Sequence, residues 1–186
     1  MMGIGCAPAG RALAILLAAV GACDLAMAQS APVKVFLVRH AEPGPGEDPA
    51  LSAAGRKRAA DLSAALREAG ISAILTSPLR RTRETAAPLA ATLGLSPTPI
   101  GMARGIDAHI DELANAVRGH SGGAMLVVGH SNTVPRLIGL LGGPTFRDLC
   151  ETTFDILFAV ELEGGAATLT PSRYGDASPR PGPDCT

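Results

Sequence analysis

Three short apolar segments, separated by stretches with helical periodicity, constrain the fold of this 186-residue chain more than any other feature. The first, residues 33–38 (VKVFLV), is continuous and β-branched, as expected for a strand buried on both faces of a sheet. Residues 71–75 and 125–128 have a similar character. Alternating strands and helices predict an α/β fold: a single three-layer domain, with a mostly parallel central sheet and helices on both faces.

End signals divide the chain into elements. Ser52 is a suitable N-cap for the first helix, and Gly70 and Gly94 end the first and second helices. The expected elements after the first strand are a helix 52–69, a strand 71–75, a helix 79–93, an extended piece 95–100, a helix 107–118, a strand 125–128, a helix through 135–141, and two strands, 154–162 and 167–170, in a hairpin that turns at Gly164-Gly165.

The first 28 residues are typical of a secretory signal peptide. Arg11 precedes an apolar run, residues 12–20, that is shorter than the about 20 residues a membrane-spanning helix needs. Ala26-Met27-Ala28 is a small-x-small cleavage site, whereas the alternative, Val20 to Cys23, resembles a lipoprotein box that would place a lipid on Cys23. We therefore predict a signal peptide, 1–28, and one domain, 29–186, in the periplasm or secreted; with a lipid on Cys23 it would be anchored to the cell envelope.

Net charge and cysteine content limit the classes of partner and the bonds that the chain is expected to form. A net charge of −1 gives no indication of a nucleic-acid partner or of a membrane surface. Cys6 and Cys23 belong to the predicted signal, which leaves Cys150 and Cys185. In an oxidising compartment these two could form a disulfide that fixes the C-terminal tail, or they could be unrelated thiols.

Polar residues that suit an anion follow three of the predicted strands. They are Arg39-His40, the segment from Ser77 that contains Arg80, Arg81 and Arg83, and His130. In such sheets ligands bind outside the carboxyl ends of the strands, so these residues should converge. Three arginines at a helix start are tolerable if an anion lies among them. We expect Arg81 at the site and Arg80 and Arg83 in solvent.

Four motifs occur in order along the chain: Arg39-His40-Ala41-Glu42, Leu51-Ser52-x-x-Gly55-x-x-x-Ala59, Ser77-Pro78-Leu79-x-Arg81-Thr82-x-x-Thr85-Ala86 and Gly129-His130-Ser131. With them the chain resembles branch 1 of the histidine phosphatase (phosphoglycerate-mutase-like) superfamily, over nearly all of the part after the signal. Ala41 stands where that family usually has glycine, and Thr82 where alanine is frequent. The long insertions of the cofactor-dependent mutases are missing, which favours hydrolysis.

The resemblance implies a role for each matching residue. His40 would be the nucleophile that becomes phosphorylated, and Arg39 and Arg81 would bind the phosphoryl oxygens. His130 would complete this pocket. Ser131 and Glu42 are further candidates for substrate binding.

The general acid is less well defined by the sequence. It must protonate the leaving alkoxide, and the resemblance implies a carboxylate from the segment between the two histidine motifs. We predict Asp107, which begins a helix and could point back to the site, although it could equally be a simple helix cap. The other candidates are Asp111, Glu112 and Glu42, and His109 is either a contributor or a surface histidine.

The expected function is hydrolysis of a small phosphorylated substrate, a phosphomonoester, by an exported enzyme through a phosphohistidine on His40. We expect no cofactor and no metal, because no two histidines have the i, i+4 spacing of a helical zinc site and arginines would repel a cation. The alternatives are a non-catalytic module of the same fold that binds a phosphate ligand, and a phosphohistidine phosphatase.

Overall fold

The computed structural model describes residues 32–179, so the predicted signal peptide and Cys185 lie outside the described residues. The elements follow the predicted order, with boundaries that differ by a few residues. They are β1 (Val33–Arg39), α1 (Ala53–Leu66), β2 (Ile71–Thr76), α2 (Arg80–Leu93), β3 (Thr98–Pro99), α3 (Ile106–Arg118), β4 (Ala124–Gly129), α4 (Thr133–Leu140), β5 (Ile156–Glu163) and β6 (Ala166–Arg173). Ser52 caps α1 as predicted, its Oγ accepting from the backbone N–H of Gly55 at 3.1 Å.

The strands form one sheet in the order β3-β2-β4-β1-β5-β6. Pairings among β3, β2, β4 and β1 are parallel, and β5 and β6 are antiparallel. The hairpin turns at Gly164 and Gly165, whose φ angles of 56° and 85° favour glycine. The predicted fold class, an α/β domain with a mostly parallel sheet, is confirmed.

Helices cover both faces of this sheet. Leu37 of β1 and Val127 of β4 point to the face that α3 and α4 cover. Their neighbours Val38 and Val128 point to the opposite face, which α1 and α2 cover. Because successive side chains of a strand alternate between the faces and both faces are buried, the buried stretches 35–38 and 124–128 are apolar at every residue rather than at every second residue.

One predicted extended piece and one predicted strand differ in length from the observed strands, and both involve proline. The piece 95–100 shrinks to the two residues of β3, because Pro97 and Pro99 cannot donate to a ladder. Conversely, β6 runs past Pro171 to Arg173. Like β3 it lies at an edge of the sheet, and its pairing with β5 continues on both sides of Pro171.

None of the helices within residues 32–179 combines the length and the apolar character that crossing a bilayer requires.

Candidate active site

A cleft of about 600 Å³ opens at the carboxyl ends of β1 and β4 and the first turn of α2. It brings together most of the residues that the sequence assigned to a site, because parallel strands present their carboxyl ends at the same edge. The residues that line it include Arg39, His40, Arg81, His130, Ser131 and Glu151.

His40 follows β1 and is almost fully buried. Its Nδ1 lies 2.8 Å from the carbonyl oxygen of Ala41, which can only accept, so Nδ1 carries the proton and Nε2 keeps its lone pair. Burial lowers the pKa of His40 to about 4, and the charges of Arg39 and Arg81 act in the same direction. Burial is the larger cause, and repulsion by the two arginines adds to it. At neutral pH, the His40 imidazole is therefore uncharged.

His130 follows β4, with its ring centroid 5.3 Å from that of His40. The hydroxyl of Thr82 donates to the carbonyl of Leu79 at 2.8 Å, so it accepts from Ser77 Oγ at 2.9 Å. Ser77 Oγ then accepts from His130 Nε2 at 3.0 Å, which fixes the ring. Burial, followed by the neighbouring His40, lowers the pKa of His130 to about 3. Thr82, which departs from the family pattern, thus supports the position of His130.

The guanidinium of Arg39 is held by the segment 150–154. Nη1 donates to the carbonyl oxygen of Cys150 at 2.8 Å, Nη2 pairs with Glu151 at 2.5 Å, and Cζ lies 4.3 Å from the centre of the Phe154 ring. Its Nε is buried without a hydrogen-bond partner within residues 32–179. Arg39 is therefore rigidly placed beside His40, as a phosphoryl-binding group should be.

Arg81 lines the cleft from the first turn of α2. Its positive charge reaches both His40 and His130 and lowers the pKa of each. As predicted, Arg80 points away and pairs with Glu84 at 2.6 Å, and Arg83 is exposed. In the part of the chain that the structure describes, Arg81 has no ion-pair partner, so its charge is available to an anion.

Glu42 does not line the cleft, contrary to its predicted role in substrate binding. Its carboxylate pairs with Arg58, with Oε1 2.7 Å from Nη2 and both oxygens 2.9 Å from Nε. The Arg58 side chain is only 5% exposed and also donates to the carbonyl of Asp176 at 2.9 Å. Glu42 thus compensates a buried charge and ties the end of β1 to α1.

We expect the Glu42→Gln variant to lose about 2 kcal/mol of unfolding free energy, because Arg58 would keep an uncompensated, largely buried charge. KM for an aryl phosphate should stay within about twofold of wild type, because Glu42 lies outside the cleft. Urea denaturation and steady-state kinetics measure the two quantities. Lys57→Gln, which removes exposed ion pairs to Asp61 and Asp176, is the control and should leave the unfolding free energy nearly unchanged. Unchanged stability with a raised KM would return Glu42 to substrate binding.

Asp107 does not point into the cleft either. Its side chain is 83% exposed and pairs with Arg136 of α4, and the helix is capped by Gly105 rather than by Asp107. Asp111 is exposed, and Glu112 pairs with Arg104. None of these carboxylates lines the cleft, so the predicted acid role of Asp107 has no support from the geometry.

His109 is not the surface residue that one alternative expected. It is 1% exposed, and its Nδ1 lies 3.2 Å from the carbonyl oxygen of Gly101. Burial lowers its pKa. Its ring is close enough to His130 to affect that residue's pKa slightly.

Cys150 lies next to the site and is disulfide-bonded. Its predicted partner, Cys185, is outside the described residues, so the pairing of these two cysteines stays a prediction. Glu151 was not recognised in the sequence as a site residue. It lies in an irregular segment with no periodic pattern, 112 positions from the Arg39 that it contacts.

Residues 32–179 contain no group of three or more His, Cys, Asp or Glu side chains placed to hold a metal ion. The two cleft histidines have arginine neighbours and depressed pKa values. This combination of neutral imidazoles and fixed positive charge suits an anion.

One protein-family model and several solved structures resemble this chain. The family model of the histidine phosphatase superfamily (branch 1) matches residues 35–107, which confirms the resemblance drawn from the motifs. No curated protein matches the sequence.

Solved structures with the same fold include a protein histidine phosphatase, SixA, complexed with tungstate (20% identity, TM-score 0.59, covering 75% of this chain and 96% of that one). Others are phosphoglycerate mutase from Bacillus anthracis (16%, TM-score 0.57, 77% and 94%) and alpha-ribazole phosphatase from Shigella flexneri (16%, TM-score 0.56, 74% and 94%). At these identities the likeness establishes the fold.

Proposed function

We propose that this protein is a metal-independent phosphatase that hydrolyses phosphomonoesters through a phosphohistidine intermediate on His40. The observation that carries the proposal is the state of His40: a buried, neutral imidazole whose free Nε2 lies in a cleft with Arg39, Arg81 and His130. Phosphoryl transfer requires mainly positioning and charge stabilisation, and these groups supply both.

The reaction proceeds in two displacements. In the first, Nε2 of His40 attacks phosphorus, the bond from phosphorus to the ester oxygen breaks, and the alcohol leaves. In the second, water attacks phosphorus, the nitrogen–phosphorus bond breaks, and inorganic phosphate is released. Arg39 and Arg81 bind the phosphoryl oxygens in both steps, and the Ser77 hydroxyl keeps His130 in place against them.

Export is part of the proposal. It rests on the N-terminal pattern of residues 1–28, with cleavage before Gln29 or lipidation at Cys23 as the two routes. The disulfide at Cys150 supports it, because disulfides persist in oxidising compartments such as the periplasm. Recovery of the processed protein from the cell-envelope fraction or the medium would test this part.

A phosphohistidine phosphatase is the second candidate. One protein of similar structure is described as a protein histidine phosphatase, and the cleft opens broadly at the strand ends. Such an enzyme would transfer the phosphoryl group from a substrate imidazole to His40. It would turn over a phosphohistidine-containing protein faster than any small phosphomonoester, and this comparison separates the two candidates.

The test of the proposed function uses the chain from residue 29 and p-nitrophenyl phosphate with excess EDTA. We expect turnover that the chelator leaves unchanged, because the groups that bind the phosphoryl oxygens are arginines. Activity lost in EDTA and restored by a divalent cation would contradict metal independence. Saturable binding of inorganic phosphate without turnover would instead identify a non-catalytic binding module.

A further inference from the structure

The proposed reaction leaves one proton without a source. An alkoxide leaving group must be protonated as the phosphorus–oxygen bond breaks, and Asp107 pairs with Arg136 outside the cleft. Among the described residues, the carboxylates that line the cleft are Glu47, Asp148 and Glu151. The further inference identifies which of these three carboxylates supplies the proton, and it rests on the proposed function.

The carboxylate of Glu151 accepts hydrogen bonds from the residues that adjoin His40 and His130 in sequence. Its Oε2 accepts from Arg39 Nη2 at 2.5 Å, and its Oε1 accepts from Ser131 Oγ at 2.8 Å. Arg39 precedes His40 and Ser131 follows His130, so the carboxylate bridges the ends of β1 and β4 in the cleft that both imidazoles line. Its charge also raises the pKa of His40.

The backbone around Glu151 is anchored while its side chain is accessible. The carbonyl of Cys150 accepts from Arg39 Nη1, and the ring of Phe154 lies against the same guanidinium. The Glu151 side chain is nevertheless 79% exposed. The carboxylate can therefore change partners within the cleft and exchange protons with water.

We propose that Glu151 is the general acid and base of the phosphoryl transfer. Protonated Glu151 gives its proton to the ester oxygen as the bond from phosphorus to that oxygen breaks and the bond to His40 Nε2 forms. The resulting carboxylate takes a proton from the water that attacks phosphorus. The nitrogen–phosphorus bond breaks, phosphate leaves, and His40 and Glu151 return to their starting states.

Substrate binding prepares Glu151 for the acid role. In the empty cleft, burial raises the pKa of Glu151, but the Ser131 hydrogen bond and the Arg39 charge outweigh it and hold that pKa below its usual value. Phosphoryl oxygens that bind Arg39 would displace the carboxylate from the guanidinium and place negative charge beside it. Both changes raise the pKa of the carboxyl group and favour its protonated form.

The test is the Glu151→Gln variant with a series of leaving groups. Glutamine keeps one oxygen that can accept from Arg39, and its NH2 group can donate to Ser131 Oγ, but it cannot transfer the proton. For an alkyl phosphate, kcat/KM should fall about 10²- to 10³-fold. For 2,4-dinitrophenyl phosphate, whose leaving group needs no proton, kcat/KM should stay within about threefold of wild type. The same substrate should give a burst of dinitrophenolate, because the second step has lost its base.

Controls separate this proposal from the proposed function. Asp107→Asn should show no selectivity for the leaving group, because that carboxylate lies outside the cleft. An equal loss for both substrates in Glu151→Gln would mean that Glu151 only positions Arg39, and no loss would remove it from the reaction; either result overturns the inference. In both cases the wild-type protein would still turn over and phosphorylate His40, so the proposed function would stand. Absence of turnover in the wild type would refute the proposed function itself.

Discussion

Replacing His40 by alanine is expected to lower kcat/KM for p-nitrophenyl phosphate by about 10⁴- to 10⁶-fold, as removal of a covalent nucleophile does in other hydrolases. The loss should be this large because the His40 imidazole, uncharged at neutral pH and next to Arg39 in sequence, forms the covalent intermediate of the proposed reaction. His130, the other imidazole, has its Nε2 engaged by Ser77.

The matched control for this variant is His120→Ala. His120 lies in the turn after α3, outside the cleft, where its Nε2 contacts Ser72 Oγ at 3.0 Å. This variant should keep kcat/KM within about twofold of wild type. Retained turnover in His40→Ala, with both variants folded by circular dichroism, would end the assignment of His40 as the nucleophile.

Replacing Arg81 by alanine is expected to lower kcat/KM by about 10³-fold, the lower end of what an arginine contributes to phosphoryl transfer. Arg81 has no ion-pair partner among residues 32–179, so its charge is available to the transferring group. Removal of Arg81 should not lower the unfolding free energy, because its charge repels the Arg39 guanidinium and disfavours the charged forms of the two cleft histidines. Kinetics and urea denaturation of the same preparation measure both quantities.

Two further variants distinguish a direct phosphate contact of Arg81 from a general effect of its charge. Arg81→Lys should recover only part of the lost activity, because an ammonium keeps the charge but cannot bind two phosphoryl oxygens with a planar fork. Arg83→Ala, which removes an exposed arginine of the same helix, should keep kcat/KM within about twofold. Equal losses in Arg81→Ala and Arg83→Ala would indicate a general effect of surface charge rather than a phosphate contact.

The fold could be predicted because its signals are local. The apolar runs of β1 and β4 follow from burial on both faces, and Ser52 and Gly94 mark helix ends by their own backbone chemistry. His40 and His130 were recognised for a related reason. Each directly follows a buried strand, so the topology alone determines the edge at which it lies.

The residues that were misplaced depend on partners distant in sequence. Glu42 turns to Arg58 and Asp107 turns to Arg136, and in neither case does the spacing within the motif reveal the partner. Glu151 lies in the cleft because Arg39 donates hydrogen bonds to the irregular segment that contains it. Side-chain direction in such segments is set by tertiary ion pairs, which propensity and periodicity do not encode.

The central claim is that the phosphoryl group passes through His40, and trapping the intermediate tests it most directly. The chain from residue 29 would be mixed with p-nitrophenyl phosphate, quenched in alkali within the first turnover, digested and sequenced by mass spectrometry. We predict one phosphoryl group, stable in alkali and labile in acid, on the peptide that contains His40, and its absence in His40→Ala. Turnover without phosphohistidine, or a phosphoryl group on His130 or on a hydroxyl, would contradict the account.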